Sequence, residues 1–455
     1  MKTRNVKNAA EALALVNDRN LTHAKVGVTD LDGVLRGKYM GRDKLASAFK
    51  SGFGFCDVIL GWDTYDQLHD NVAFTGWHTG YPDASVRMIA ESCRDIPWER
   101  DGVFFLAEFD GDAEALCPRG TLRRIVQKAH SMGYTALAAA EYEFFLFQET
   151  PISAREKNYL DLTPLTPGFF GYSILRNTVH ADLHTAFLKV CEVMDFPLES
   201  YHTETGPGVM EAAIKVDDIL SAADKAVLFK TFTKIFAQRN DLMATFMAKW
   251  SMDWPGQSGH VHISLSNTDG TTAFYDPHAT HGMSDVMRWF LGGQQALMPE
   301  LLAMVASTVN AYTRLVPGFW APTNSTWGID NRTCALRVIP GLETSQRIEY
   351  RVSSADANPY LAMAVALGSG LWGIENKIEP TTPVEGNAYD KKFARKLTLP
   401  RTLWEAAQAL KRSGPARALF GDAFVEHYAA TREWEEREFR RHVTNWELER
   451  YFEII

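Results

Sequence analysis

Apolar side chains recur along the chain at two spacings, and the change from one to the other divides the sequence. Val26 to Tyr39 reads as strand, turn at Asp32-Gly33, and strand, the pattern of a β-hairpin. From residue 1 to about residue 115 the sequence predicts strands and loops. Beyond Cys117-Pro118-Arg119-Gly120 the period lengthens. Leu122, Ile125, Val126 and Ala129 fall at i, i+3, i+4 and i+7, which predicts a helix capped by Thr121 and ended by Gly133. Leu183, Ala186, Phe187, Val190, Cys191 and Met194 repeat that spacing, so Asp182 to Met194 reads as an amphipathic helix with Asp182 as its cap. Further helices are predicted over Asp217 to Arg239, Asn358 to Lys377 and the charged stretch from Leu403 to Tyr451. The expected organisation is a small strand-rich domain, residues 1–115, followed by a large α/β domain of catalytic size, residues 116–455.

Composition narrows the function. The chain has 455 residues, 46% of them hydrophobic and 23% charged, an ordinary globular balance that needs no disulfide or structural metal to hold a core. Forty-seven basic against 56 acidic residues leave a net charge of −9, which argues against a nucleic-acid surface and a polybasic membrane face. Cys56, Cys93, Cys117, Cys191 and Cys334 are odd in number, widely spaced and without a CxxC pair, so reduced thiols in a cytoplasmic protein are expected. The N-terminus lacks the apolar run of a secretion signal. The most apolar stretch, Tyr360 to Ile374, is too short to span a membrane and carries Gly368, Gly370 and Gly373, so it reads as a buried helix.

Candidate chemistry lies in four segments. In the strand-like Ala138 to Phe147, Glu141 and Glu143 share a face about 7 Å apart and would repel each other unless a cation lay over them. His202 to Glu211 carries Glu204 and Glu211 across a Gly-Pro-Gly turn able to bring both acids to one point. Gly256 to Leu265 places His260 and His262 on one face of another strand. In Arg347-Ile348-Glu349-Tyr350-Arg351 an acid is flanked by two guanidinium groups, and Arg314, Arg332 and Arg337 stand just upstream, a composition suited to phosphates and carboxylates. Alone, the Glu141–Glu143 strand reads equally well as a solvated edge, the acids at the turn read as solvated, the histidines as satisfied side chains and the Arg347–Arg351 strand as a salt-bridge ladder. Together the acids, histidine and arginines suggest phosphoryl transfer from a metal–nucleotide complex, while the missing GxxxxGK[ST] loop disfavours P-loop and Rossmann classes.

In chain order, ExE, ExGPGxxE, HxHxS, RLVPG, NRxxxxR, RxExR and DANPYLA resemble the glutamine synthetase superfamily over nearly the whole sequence. The resemblance implies an α+β protein with a small N-terminal β-grasp-like domain and a large glutamine-synthetase-type catalytic domain. It also implies hexameric rings, stacked as a dodecamer, with sites between neighbouring subunits. By position, Glu143, Glu204 and Glu211 would hold one divalent ion, and Glu141, His260 and Glu349 a second, either Mg²⁺ or Mn²⁺. His262, Ser264, Arg332, Arg337 and Arg347 match positions for ATP and the transferring phosphoryl group. Gly256, Arg314 and Arg351 match the glutamate site. Lys249, in Ala-Thr-Phe-Met-Ala-Lys, matches a family segment without an assigned role.

Two departures bear on the second substrate. Ammonia-using members carry a glutamate in the flap after Arg-Leu-Val-Pro-Gly, where Trp320 stands here, and Val209 replaces a glutamine. An indole supplies an apolar wall and a π face but no anionic base. The chain therefore looks more like the γ-glutamylamide synthetases, with Phe319 and Trp320 lining a pocket for an apolar amine, aromatic such as aniline or short alkyl. Asp63, with Asp66 as a rival, resembles the aspartate that reaches a neighbour's amine site, and Phe170-Gly171-Tyr172 resembles an aromatic loop near the glutamate site. The remaining alternatives are an ammonia-using glutamine synthetase and a non-catalytic family member with a structural or sensory role. No covalent regulation by adenylylation is indicated.

Overall fold

The computed structural model describes residues 2–455. The N-terminal part builds a five-stranded sheet from β1 (His23–Thr29), β2 (Leu35–Gly41), β3 (Phe53–Cys56), β4 (Asp83–Asp95) and β5 (Val103–Phe109), in the order β2-β1-β5-β4-β3. The predicted hairpin is the β1–β2 pair, turning at Asp30 to Gly33. There Gly33 takes a φ of +79° hard against Asn358, where a side chain has neither the conformation nor the space. Two helices, Ala9–Asp18 capped by Asn8 and Arg42–Ser51, also belong to this part, which the strand-and-loop expectation did not include.

The larger sheet has nine strands: β6 (Tyr134–Phe147), β7 (Leu198–Thr203), β8 (Val209–Ile214), β9 (Asp217–Asp218), β10 (Met243–Thr245), β11 (Gly259–Asn267), β12 (Trp327–Ile329), β13 (Leu336–Ile339) and β14 (Arg347–Tyr350). Its main path runs β12-β13-β14-β11-β6-β8-β7, antiparallel except for β12 and β13, with β9 and β10 also pairing to β6. The long strand β6 is thus the axis on which four other strands converge.

Helices fall close to their expected spans, with differences at the ends. The helix Pro118–Ser131 starts at a proline rather than after Thr121, because proline fits the first helical position where no N–H partner is needed. Asp182 lies in the first turn of Ala181–Val193 and does not cap it. Asp218 caps Ile219–Arg239, its carboxylate accepting from Ser221 N. The C-terminal stretch is four helices, Leu403–Arg412, Gly414–Phe420, Asp422–Phe439 and Asn445–Tyr451, interrupted at Ser413, Gly421 and Arg440 to Thr444.

A buried charge network ties the smaller sheet to the helices that pack under the larger one. Glu108 on β5 accepts from Arg119 at 2.8 Å, Arg119 also grips Asp224 at 2.9 and 3.0 Å, and Tyr360 donates to Asp224 at 2.6 Å. The hairpin turn is pinned separately, by Asn358 Nδ2 donating to the carbonyls of Asp30 and Leu31 and by Arg432 on Asp32. No helix among the described residues is long and apolar enough to cross a membrane.

Under the large sheet the apolar run forms the helix Pro359–Asn376, which packs against Asp285–Leu301 through glycines. A Cβ on Gly373 would lie 2.1 Å from the Trp289 carbonyl and 2.6 Å from Gly293 Cα. Gly373→Ala is therefore expected to cost about 1–3 kcal/mol of stability, the ordinary cost of overpacking, read as a lower denaturant midpoint. Two histidines under Arg432 set a pH dependence. Burial, aided by the Arg432 charge, depresses His69 to about 3, and burial depresses His427 to about 4. At these two positions the folded chain binds fewer protons than the unfolded one below pH 6.5, so their contribution to stability falls as pH drops from 6.5 towards 4, while the buried Asp30 carboxyl, raised to about 7, contributes with the opposite sign. Urea midpoints across that range should show His427→Gln losing less stability than the wild type as pH is lowered.

Candidate active site

The register of the large sheet assembles the acids in rows. Glu143 on β6 stands opposite Glu211 on β8, and Glu211 stands opposite His202 on β7. Glu141 stands opposite His260 on β11, and His262 stands opposite Glu349 on β14, which faces Arg337 on β13. Strand alternation puts Glu141 with Glu143, and His260 with His262, on the same face, as their spacing predicts. Glu204 arrives from the turn, where Gly206 at φ +136° and Gly208 at φ +70° reverse the chain; a Cβ on Gly208 would lie 2.5 Å from the Leu146 carbonyl.

Two clusters result, each with its candidate ligand atoms within 4.8 Å of one another: Glu141, His262 and Glu349, and His202, Glu204 and Glu211. His260 Nδ1 completes the first, 3.0 Å from Glu141 and 3.3 Å from Glu349. Glu143 turns one oxygen to Ser258 N at 2.6 Å. Beside these acids the same face continues as an apolar wall of Phe145, Val209 and Trp254, so the replaced glutamine position is occupied by packed hydrocarbon.

The wall makes charge expensive. Burial raises the Glu143 carboxyl above its ordinary range despite the Ser258 amide and Arg314, and burial likewise raises Glu211 despite its bond to His202. Burial acts on Glu141 too, but hydrogen bonds and charge from His260 and His262 outweigh it and hold Glu141 well below normal. Glu349 falls to about 2 because His260, Arg351 and His262 outweigh its burial. The ring atoms Nε2 of His260 and of His262 are buried without a hydrogen-bond partner. Oxygen and imidazole donors converging on two points, with orphaned ring nitrogens among them, fit divalent ions.

The arginines surround this centre unequally. Arg337 donates to Glu349 at 2.8 Å and to Asp330 at 2.7 and 2.9 Å, while Arg351 pairs with the other Glu349 oxygen. Arg347 Nε donates to His262 Nδ1 at 3.3 Å, which orients the ring with its Nε2 towards Glu141, 3.6 Å away. Arg332 is exposed and has no ion pair among the described residues. Arg314 is buried, burial depressing it to about 10, and spends its guanidinium on the carbonyls of Val352 and Arg351. Gly256 packs against it so closely that a Cβ would lie 2.6 Å from Arg314 Cγ. Ser264 follows His260 and His262 on the same face of β11.

A family model described as glutamine synthetase, catalytic domain, matches residues 115–451. The chain belongs to the glutamine synthetase family. It is 44% identical to the type-1 glutamine synthetase 2 of Dictyostelium discoideum, over 95% of this chain and 84% of that one. It is 37% identical to a glutamate–isopropylamine ligase from a Pseudomonas species over the full length of both. It is 36% identical to the γ-glutamylethanolamide synthetase of Streptomyces coelicolor, over 97% of this chain and 95% of that one. A solved structure titled apo GmaS superposes with a TM-score of 0.84 at 24% identity, over 97% of this chain and 99% of that one, and shares the fold. Family members are ATP-dependent ligases that use a divalent metal, glutamate and an amine.

The segment Arg314 to Pro322, which the motif reading takes as the flap, starts at an arginine whose charge acts on Glu143. At its tip Gly318 has φ +86° and Trp320 φ +59°, an uncommon conformation for a residue with a Cβ, and the Trp320 indole is 60% exposed. Phe319 lies with its ring over Lys249 Nζ. Asp63 and Asp66 are not among the acids of this chain's cluster. Asp63 accepts from Tyr65 N and Gln67 N in its own loop, and Asp66 pairs with Arg36. The aromatic loop does reach the site, because the Tyr172 ring lies against His202, centroids 4.4 Å apart and planes tilted by 31°, and Tyr172 N donates to the Thr203 carbonyl.

His202 is the residue the sequence reading passed over. Its Nε2 is 3.1 Å from Glu211, a contact set by the β7–β8 register and invisible in spacing alone. The ligand set makes a direct prediction: Glu143→Ala should lose ATP-dependent phosphate release and bind Mn²⁺ at least tenfold more weakly by calorimetry, with the far-ultraviolet spectrum unchanged. A fully active variant would remove Glu143 from the set.

Proposed function

We propose that the chain joins the γ-carboxylate of glutamate to an apolar primary amine, aromatic such as aniline or short alkyl, through a γ-glutamyl phosphate. The observation that carries this reading is Trp320, an indole at the flap position where an ammonia-using enzyme needs a carboxylate. Relatives named for isopropylamine and ethanolamine support it, and the one named type-1 glutamine synthetase 2 keeps ammonia as the second reading.

The roles rest on the motif positions, and the clustering of the acids supports them. Glu143, Glu204 and Glu211 would hold one ion, and Glu141, His260 and Glu349 the other, Mg²⁺ or Mn²⁺. When bound, the ions neutralise phosphate charge and polarise the transferred phosphoryl group. His262, Ser264, Arg337 and Arg347 hold the ATP phosphates, and the unpaired Arg332 is available to the phosphoryl group in transit. Gly256, Arg314 and Arg351 form the glutamate site, where the closeness of Gly256 to Arg314 excludes any larger side chain. A γ-carboxylate oxygen attacks the terminal phosphorus of ATP and ADP leaves. The amine nitrogen then attacks the acyl carbon, phosphate leaves, and the nitrogen loses a proton.

Phe319 and Trp320 line the amine pocket. An aromatic amine is unprotonated near neutral pH and needs no flap base, so the loss of that carboxylate costs it little. Asp63, in the loop between β3 and β4 of the N-terminal part, is assigned to the site of a neighbouring subunit in a dodecamer of hexameric rings. Residues 1–115 would then act as the domain that completes a neighbour's site and residues 116–455 as the catalytic domain, in the cytoplasm.

Phosphate release from ATP with glutamate, read against ammonia, methylamine, isopropylamine, ethanolamine, putrescine and aniline with product masses checked, tests this directly. Turnover concentrated on the apolar amines is the expected result, and preference for ammonia would overturn it. Trp320→Glu should shift the ratio of ammonia to amine turnover about tenfold towards ammonia, equivalent to ~1.4 kcal/mol of selectivity.

A further inference from the structure

Lys249 is 3% exposed and has no ion pair among the described residues. A buried ammonium without a carboxylate is costly to keep, so what it touches is informative. Its Nζ donates to the Trp254 carbonyl and sits 4.2 Å from the centre of the Phe319 ring. Its own backbone is clamped on both sides by one side chain: Lys249 N donates to Asn310 Oδ1 at 2.8 Å, and Asn310 Nδ2 donates to Lys249 O at 2.8 Å. Asn310 precedes the short helix Ala311–Arg314, from which the flap departs. The lysine is therefore fixed to the root of the flap by its backbone and to the tip by its ammonium.

The flap is held at its far end, where Ala321 is buried and its carbonyl accepts from Tyr389 Oη at 3.0 Å. At the turn itself Gly318 and Trp320 both occupy left-handed backbone and the Trp320 indole is largely in solvent, so the cation–π contact at Phe319 is the side-chain anchor there.

We propose that Lys249 is the positioning residue of the flap, its ammonium holding the Phe319 ring, and with it Trp320, in place beside the acid cluster. This rests on the reading of the flap as the shield of the acyl phosphate and the wall of the amine pocket. A loosened flap lets water or glutamate's own α-amino group reach the activated acyl carbon, so ATP is consumed without amide being made. Coupling is the property Lys249 protects.

Lys249→Met keeps the stem and removes the charge; Phe319→Leu removes the ring from a half-exposed position and leaves the lysine. With the amine that the wild-type enzyme turns over fastest, both variants should raise the amine KM about five- to tenfold, the range of a partly desolvated cation–π contact. Both should release phosphate in excess of amide, with the KM for ATP unchanged. The double variant should be no worse than either single one, and Lys249→Arg, whose guanidinium also rests on ring faces, should restore coupling. Hydrogen exchange of residues 315–322 in the protein without substrates supplies a readout independent of which amine is used. Faster exchange in Lys249→Met and Phe319→Leu is expected. Unchanged exchange, additive effects in the double variant, or wild-type coupling in Lys249→Met would each overturn the proposal, whereas a wild-type preference for ammonia would overturn only the apolar-amine reading.

Discussion

Five carboxylates are packed onto one sheet surface beside an apolar wall, and their mutual repulsion is the constraint that organises the rest. Glu141, Glu143, Glu204, Glu211 and Glu349 cannot all be charged and buried without cations. The protein answers unevenly. Around Glu349 it supplies guanidinium groups from Arg337 and Arg351, and Glu141 is hydrogen-bonded by the His260 ring, so both acids are held below the usual carboxylate range. Around Glu143 and Glu211 it supplies less, and burial raises both. The half left undercompensated is the half most in need of an external positive charge.

Keeping such a surface intact requires a rigid support. Strand β6 pairs with four other strands, so Glu141 and Glu143 are held by a ladder on both sides. The Glu108–Arg119–Asp224–Tyr360 network ties the smaller sheet to the helices beneath, and each buried charge in it has a hydrogen-bonded partner. The hairpin turn is locked by Asn358, which immediately precedes the buried helix Pro359–Asn376. Geometry at the acids and geometry at the sheet–helix junctions are therefore one problem for the fold.

Much of this was legible in the sequence because strand alternation is a local rule. Glu141 with Glu143, His260 with His262, and the turn that brings Glu204 to Glu211 follow from spacing and from glycine. What escaped depends on pairing between strands that are distant or offset. His202 meets Glu211 only through the hairpin register, and Arg347 orients His262 only because β14 lies beside β11. The helices Ala9–Asp18 and Arg42–Ser51 escaped for a different reason, since each is ten residues long and too short for its periodicity to stand out against the strands around it. The break at Ser413-Gly414-Pro415 was written in the sequence and overridden by the charged helical composition on either side.

The glycine contact between Asp285–Leu301 and Pro359–Asn376 bears on how such a scaffold changes over time. With backbone against backbone at Gly293 and Gly373, the floor beneath the large sheet leaves no room for compensating exchanges of side-chain volume. Variation in substrate scope is thereby channelled upward, into the flap and the aromatic loop, where residues such as Trp320 and Tyr172 face solvent. A lineage built on this floor can diversify its chemistry by rewriting a few exposed positions while inheriting the rest of the molecule almost unaltered.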